Sequence, residues 1–191
     1  MYSPCEKSQI LDAELQEQKK RLLELCMGAK RKVLPDALDL VDLDFAVFGG
    51  LSWKSEFCRT GSHAAHAARF KDFLRLCKST CKRLKIRFRY VHFCFRDEPS
   101  PADEWHVHFL IAANGTEAVS HEVLSAELQA TWTKRFNFGI AKIEVFDPHR
   151  KVEGLSYVLG VSRGNDGQEI QNPPVFSQAL WNLMVKKKLH H

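Results

Sequence analysis

Two histidines separated by one residue lie in the apolar stretch EWHVHFLIA, residues 104–112. Its period-two alternation predicts a β-strand, which sends His106 and His108 to the same face, about 6 to 7 Å apart at the backbone. Two imidazoles at that spacing can bind one divalent cation. Alternatively, they are polar rings on the solvated side of a half-covered antiparallel sheet. The opposite face of the strand is apolar and predicts a packing surface, formed by Trp105, Val107, Phe109 and Ile111.

An acidic turn precedes the histidine strand. The run EPSPAD, residues 98–103, predicts a hairpin that joins this strand to a preceding strand ending near Asp97. If Asp97 lies opposite His106, its carboxylate or that of Glu98 lies beside the imidazoles. Such a carboxylate supplies the oxygen ligand that Mg²⁺ or Mn²⁺ prefers. A charged hairpin turn that binds no metal is the alternative interpretation.

A tyrosine on a predicted short helix, residues 150–161, is the candidate nucleophile. Val152, Leu155 and Leu159 recur at helical spacing and predict the buried side of this helix, whereas Glu153 and Tyr157, four residues apart, share another side. A phenolic hydroxyl is a weak nucleophile near neutral pH, so it needs a phosphate that a cation polarises and positions. A half-buried amphipathic ring with no catalytic role is the alternative.

Basic residues are concentrated between positions 69 and 89, where Lys and Arg alternate with Phe88 and Tyr90. Basic groups interleaved with aromatic rings favour contact with a nucleic-acid backbone and its bases. A solvated helix face explains the same charges without a partner. The predicted nucleic-acid-binding residues are Arg75, Lys78, Lys82, Arg87 and Arg89, with Lys151 and Arg163 near the tyrosine.

The elements that must position these groups follow the order β α β β α β. Strands are predicted over residues 41–53, 85–97, 104–112 and 139–146, and helices over residues 63–84 and 120–134. We expect a bulge at Gly49-Gly50 in the first strand. The order predicts an α+β fold of the ferredoxin-like (RRM-like) type, an antiparallel sheet with helices packed mainly on one face. The other face is then free for ligands.

Helical segments flank this predicted domain. Residues 5–33 predict a long amphipathic helix, which packs on its own domain or serves oligomerisation. Because Pro35-Asp36 is a natural break, we divide the chain into an N-terminal helix, residues 1–35, and a main domain, residues 36–191. Pro174 is predicted to open a last helix. His63 and His66, on the first turn of helix 63–84, are expected to be solvent-exposed.

Composition narrows the class of protein. The net charge of +5 favours a polyanionic partner. No apolar run approaches the roughly 18 residues of a membrane span, and the N-terminus lacks a signal peptide. We therefore expect a soluble intracellular protein, cytoplasmic or, in a eukaryotic host, nuclear. The 6 cysteines form no CxxC pair, and Cys77 and Cys81 continue an apolar helical series that predicts core packing.

Taken together, these motifs resemble the HUH endonucleases: rolling-circle replication initiators, relaxases and single-strand transposases. The resemblance covers residues 45–163, with the His-hydrophobic-His strand at His106 and His108 and the nucleophile at Tyr157. It implies Mg²⁺- or Mn²⁺-dependent nicking and joining of single-stranded DNA or a DNA hairpin through a 5′-phosphotyrosine intermediate. It also implies an acidic third ligand, Asp97 or Glu98, with Glu153 on the tyrosine helix as an alternative.

The sequence departs from the family pattern at one position. Replication initiators often carry a lysine four residues after the tyrosine, and Val161 occupies that place here. The nearest bases are Arg150, Lys151 and Arg163. A single tyrosine in this helix argues against the two-tyrosine subclass. The family also suggests further domains or host replication proteins as partners.

The main rival is a protein without catalytic activity. A ferredoxin-like domain can bind single-stranded nucleic acid by stacking bases on its sheet, with the histidines as polar surface. Phe88, Tyr90, Phe93 and Phe95 are the candidate stacking residues. A covalent DNA adduct that depends on Tyr157 distinguishes the nuclease from this binding module.

Overall fold

An antiparallel sheet forms the centre of the computed structural model, which describes residues 13–22, 40–57, 63–99, 105–160 and 174–188. The strand order is β4-β1-β3-β2-β5. The strands are β1 Phe45–Ser52, β2 Phe93–Pro99, β3 Trp105–Ala112, β4 Ala141–Val145 and β5 Val175–Phe176. The predicted α+β fold of the ferredoxin-like type is confirmed.

Two long helices cover one face of the sheet. They are α2, His63–Leu84, and α3, His121–Ala130, which a π-helical turn extends over Thr131–Phe136. The hydroxyl of Ser120 caps α3 by accepting from the Val123 amide at 3.3 Å. The helices pack on Val107, Phe109 and Ile111, and this core includes Cys77 and Cys81, as predicted.

The opposite face of the sheet is covered at one end. Helices α1 (residues 13–22), α4 (Lys151–Val158) and α5 (Gln178–Lys188) pack there. Leu22, Leu155 and Leu180 are fully buried against Leu110 and Ala112 of β3. This face is therefore less open than the sequence predicted, and the packing of the N-terminal helix on the domain is confirmed for residues 13–22. No helix in the described residues is both long and apolar enough to cross a membrane.

The two glycines of β1 make room for rings instead of forming a bulge. The register shift in this strand lies between Phe45 and Val47, so the bulge predicted at Gly49-Gly50 is wrong. Gly49 lies opposite Phe109, and a Cβ atom on it would lie 2.3 Å from the Cζ atom of that ring. Gly50 lies opposite His108. A side chain at Gly49 would displace a ring from the core.

Three predicted element starts are wrong. The first strand begins at Phe45 and not at residue 41, because residues 40–42 form a 3-10 turn. Residues 85–90 do not open a strand: Lys85 adopts a left-handed φ of 59° after α2, and a 3-10 turn follows over Phe88–Tyr90 before β2 begins at Phe93. Pro174 does not open the last helix, because β5 intervenes and Ser177 caps α5 by accepting from the Leu180 amide at 3.1 Å. The basic segment 85–90 therefore lies outside the sheet.

Candidate metal centre and adjoining tyrosine

Strand pairing brings two histidines and one carboxylate together. Glu98 on β2 lies opposite His106 on β3, and Arg96 lies opposite His108. The Glu98 Oε1 atom is 3.2 Å from His106 Nε2 and 3.3 Å from His108 Nε2. One donor atom from each of the three residues lies within 4.8 Å of the others. Glu98, His106 and His108 therefore form a group that can hold a metal ion.

The spacing and burial of these donors fit an ion. Ligands about 2.1 Å from an octahedral ion lie about 3.0 Å from one another, close to the separations between Glu98 and the imidazoles. The Nδ1 atoms of His106 and His108 are buried and find no hydrogen-bond partner among the described residues. Because the two nitrogens of an imidazole point in different directions, these Nδ1 atoms cannot bind an ion that Nε2 and Glu98 share. Buried polar atoms without partners are rare in native proteins, so the Nδ1 atoms point to bound water molecules.

Protonation states in the cluster also suit a metal. Burial raises the pKa of Glu98, but the two imidazoles and the Arg96 guanidinium outweigh it and hold this pKa well below its usual value. Burial lowers the pKa of His108, and the Glu98 carboxylate only partly offsets that effect. At neutral pH, Glu98 is therefore ionised and His108 is neutral, as metal ligands must be.

Asp97 lies on the other side of β2 and is not part of the cluster. It pairs opposite Val107, so the predicted placement of Asp97 opposite His106 is wrong. Arg69 Nε donates to Asp97 Oδ2 at 2.7 Å, and His66 Nδ1 contacts Asp97 Oδ1 at 2.5 Å. This contact leaves the His66 side chain only 20% exposed, which makes its predicted solvent exposure wrong as well.

Tyr157 lies directly beside the histidine cluster. Helix α4 buries Val152 and Leu155, and this packing turns Tyr157 toward the sheet. The centroid of its ring is 4.5 Å from that of His108, in an edge-to-face arrangement, and 6.2 Å from that of Phe48. The candidate nucleophile and the candidate metal ligands therefore share one face of the sheet.

Glu153 shares the side of α4 that carries Tyr157, as its spacing predicts, but it contacts a different partner. Its Oε1 atom accepts from the Arg21 guanidinium of α1 at 2.9 Å. In the described part of the chain, the group of donors close enough to share an ion comprises Glu98, His106 and His108. Glu153 lines the cavity in front of that group instead of joining it.

A cavity of about 470 Å³ opens beside the cluster, between β1, β4 and α4. This volume is typical of a site for a small ligand or for a segment of a polymer. Apolar side chains line much of it, among them Phe48 and Ile140, and Lys142 and Arg150 supply positive charge. The cavity wall also includes His106, His108, Glu144, Asp147, Glu153 and Tyr157.

Most of the predicted nucleic-acid-binding residues lie elsewhere. Arg75, Lys78 and Lys82 lie on the exposed side of α2, behind the sheet as seen from the cavity. Arg75 stacks on Phe136 with 4.8 Å between the guanidinium carbon and the ring centroid, and Lys78 lies over Phe88. The structure therefore separates this basic surface from the histidine cluster.

The remaining predicted basic residues are dispersed. Arg87 and Arg89 are exposed beside Tyr90, whose hydroxyl accepts from Arg89 at 2.9 Å. Both arginines lower the pKa of Tyr90, Arg87 most strongly. Lys151 is only 12% exposed and donates to the Val41 carbonyl at 3.3 Å. Arg163 and Val161 lie outside the described residues.

Sequence reasoning did not select Arg96 or Lys142. Arg96 is two residues before Glu98 on β2, and this spacing was the signal that both side chains share the face of the cluster. Lys142 alternates with buried Ala141 and Ile143 on β4, which indicated that it points away from the core. Both residues belong to the site that the fold assembles.

Comparison of the chain with protein-family models, with curated proteins and with solved structures finds no match. The chemistry of the site around Glu98, His106, His108 and Tyr157 is therefore the basis for assigning a function. Its components are two imidazoles and a carboxylate, an adjacent phenol and a cavity lined by both basic and acidic side chains.

Proposed function

We propose that this protein is a metal-dependent endonuclease that nicks and rejoins single-stranded DNA through Tyr157, in the manner of HUH enzymes. The observation that carries the proposal is the 4.5 Å separation between the rings of Tyr157 and His108, a residue of the Glu98-His106-His108 cluster. A nucleophile must lie next to the cation that polarises its phosphate. The phenol and the cluster meet this requirement, and they face the same cavity.

In the proposed reaction, the Tyr157 oxygen attacks the scissile phosphorus and loses its proton to solvent. A new phosphorus–oxygen bond forms to the tyrosine while the bond to the 3′ oxygen breaks. The 3′ oxygen takes up a proton and leaves as a free hydroxyl, and the 5′ phosphate stays on Tyr157. The energy of the phosphodiester is retained in the phosphotyrosine, so attack by a 3′-hydroxyl reverses the step and joins the strands.

Each part of the site has a role in this reaction. A divalent ion, Mg²⁺ or Mn²⁺, held by Glu98, His106 and His108 would polarise the phosphate and stabilise the charge of the transition state. The Phe48 ring lies 6.2 Å from the Tyr157 ring in an edge-to-face arrangement and would help to hold the phenol in place. Arg150 and Lys142 are the cationic groups of the cavity wall that neighbouring phosphates of the strand would contact, with Lys142 exchanging its Glu144 partner for a phosphate.

The rival interpretation, a module that stacks bases on its sheet, loses support from the fold. Phe93 and Phe95 are 4% and 0% exposed, because they face α2 in the core. Tyr90 is exposed but lies on the turn before β2. Stacking needs accessible aromatic rings on the sheet, so the cavity beside Tyr157 is the better candidate for nucleic-acid contact.

The test is covalent capture of DNA. The protein is incubated with labelled pools of single-stranded and hairpin DNA in the presence of Mn²⁺, and adducts that resist denaturation are counted. We expect an adduct with the unmodified protein and with Tyr90→Phe, the matched control, and none with Tyr157→Phe. DNA binding without an adduct in any pool would establish the non-catalytic alternative.

A second variant distinguishes the role of the metal site in cleavage from the affinity of the protein for DNA. We expect His106→Ala with His108→Ala to abolish the adduct while DNA affinity falls less than about twofold, because basic residues supply most of the affinity. Retention of cleavage by this double variant would remove the metal site from the mechanism.

A further inference from the structure

Arg96 connects the candidate metal ligand to the candidate nucleophile. Its NH2 atom is 2.5 Å from Glu98 Oε2 and also donates to the backbone carbonyl of Tyr157 at 2.9 Å. Its Nε atom donates to the carbonyl of Val158 at 3.0 Å. Arg96 itself is 5% exposed. One buried guanidinium therefore contacts both the candidate metal ligand Glu98 and the helix that carries Tyr157.

We propose that Arg96 is a positioning residue that fixes the Tyr157 phenol relative to the metal ligand Glu98. This inference rests on the function proposed above, because it assigns Arg96 a role in that reaction. Arg96 acts through the carboxylate of Glu98 and through the backbone of α4.

The end of α4 needs such a support. The helix has only 8 residues, and Gly160 ends it with a left-handed φ of 74°. The carbonyls of Tyr157 and Val158 lie in its last turn, where a cation is favourable to the helix dipole. The Tyr157 carbonyl also accepts from the Gly160 amide at 3.1 Å, and Arg96 adds a charged donor to it. Arg96 reaches them from β2, across 61 and 62 positions of sequence.

The same contact orients the carboxylate of Glu98. Arg96 contacts Oε2, so Oε1 faces the two imidazoles. A carboxylate held in this way offers one oxygen to an ion and cannot turn away. Arginine suits the role because its planar fork donates in several fixed directions, whereas a lysine ammonium is a point charge on a flexible stem.

The test compares Arg96→Lys and Arg96→Met with the unmodified protein. Arg83→Lys is the matched control, because Arg83 is an exposed arginine paired with Glu127. At saturating DNA and Mn²⁺, we expect both Arg96 variants to form the adduct about 10- to 100-fold more slowly, the usual effect of losing a residue that supports a metal ligand. DNA affinity should change less than about twofold.

A spectroscopic measurement distinguishes positioning from a general loss of structure and does not depend on cleavage. The chain contains 3 tyrosines, so 3-fluorotyrosine labelling allows fluorine resonances to be assigned with Tyr157→Phe and Tyr90→Phe. Mn²⁺ broadens resonances near it. With Mn²⁺ at a small fraction of the protein concentration, we expect strong broadening at Tyr157 in the unmodified protein and in Arg83→Lys, and clearly weaker broadening in Arg96→Lys, while Tyr90 broadens equally in all three.

The outcomes separate the two proposals. If the unmodified protein shows the broadening but forms no adduct, the nicking function is wrong, and Arg96 is still judged by the change in broadening. If Arg96→Lys and Arg96→Met keep both the adduct rate and the broadening, the positioning role is wrong. If Mn²⁺ leaves the Tyr157 resonance sharp in the unmodified protein, both proposals fall. Should Arg96→Met not fold, Arg96→Lys decides alone.

Discussion

Neighbouring acids on β2 belong to two buried clusters on opposite faces of one sheet. Asp97, facing α2, uses both carboxylate oxygens on Arg69 and His66, and Trp105 covers the guanidinium at 4.2 Å. Glu98, facing the cavity, meets Arg96 and two imidazoles whose Nδ1 atoms have no hydrogen-bond partner in the described ranges.

The residue types in the two clusters are similar, an arginine, a carboxylate and histidine. The two clusters differ in whether their polar atoms could also bind an ion and in whether they border the cavity. The Asp97 cluster is closed, because its carboxylate is matched by Arg69 and it lines no part of the cavity beside Tyr157. The Glu98 cluster brings one possible ligand atom from each of three residues within 4.8 Å of the others, and it borders that cavity. A buried ion pair alone is a structural feature. A group of possible metal ligands next to a cavity, by contrast, is a candidate functional site.

The largest expected effect on stability comes from disrupting the Asp97 cluster. Asp97→Asn leaves the Arg69 guanidinium buried without its counter-charge, so we expect the free energy of unfolding to fall by about 3–5 kcal/mol. Urea denaturation measures it. Glu98→Gln is the matched variant and should cost less than about 2 kcal/mol, since Arg96 keeps the carbonyls of Tyr157 and Val158. Equal losses would mean that the two clusters are both structural.

Metal addition should act on the open cluster alone. Mn²⁺ at about 100 times its dissociation constant should raise the free energy of unfolding by about 2.7 kcal/mol, because the ion binds the folded state. We expect this gain in Asp97→Asn despite its lower stability, and no gain in His106→Ala with His108→Ala. Thermal denaturation with and without Mn²⁺ measures the difference. Stabilisation of the double variant would place the ion elsewhere.

The two glycines of β1 allow the packing on the two faces of the sheet to be compared. Gly49→Ala places a Cβ atom against Phe109 in the core and should cost about 1–3 kcal/mol of unfolding free energy. Gly50→Ala places its Cβ atom 3.7 Å from His108 Nδ1, an ordinary contact, and should change stability by less than about 0.5 kcal/mol. Parallel thermal melts test this. A Gly50→Ala loss as large as that of Gly49→Ala would contradict the space available on the cavity side.

The smallest expected effects concern which surfaces the proposed DNA substrate contacts. Lys78 lies on α2 behind the sheet and Lys142 lines the cavity. If the strand contacts both surfaces, each change to alanine should reduce the slope of log affinity against log salt by about one. Fluorescence anisotropy at several salt concentrations measures the slopes. An unchanged slope in Lys78→Ala would confine the DNA to the cavity side.

Local patterns predicted the histidine pair and the inner side of α4 because they depend only on neighbours in sequence. Alternation put His106 and His108 on one face, and helical spacing put Val152 and Leu155 in the core. The choice between Asp97 and Glu98 depends on the pairing of β2 with β3. A one-residue shift in register moves every side chain to the opposite face. The sequence alone therefore could not decide whether Asp97 or Glu98 lies beside the histidines.

Long-range contacts account for most of what sequence reasoning missed. A buried arginine such as Arg96 or Arg69 has the same residue type as a surface one, and only the fold reveals its partners. The basic segment 85–90 contains β-forming residues, yet the left-handed turn at Lys85 after α2 directs the chain into a 3-10 turn. Tertiary context overrode local propensity at these positions.

The β2–β3 hairpin has a consequence for how the site assembles in time. All three candidate metal ligands, Glu98, His106 and His108, lie on this one hairpin, so a short loop closure brings them together. Tyr157 arrives on a helix much later in the chain, and its docking closes a far longer loop. Local opening of α4 therefore withdraws the phenol while the hairpin still holds its ligands. We therefore expect the Glu98-His106-His108 group to form independently of the docking of Tyr157.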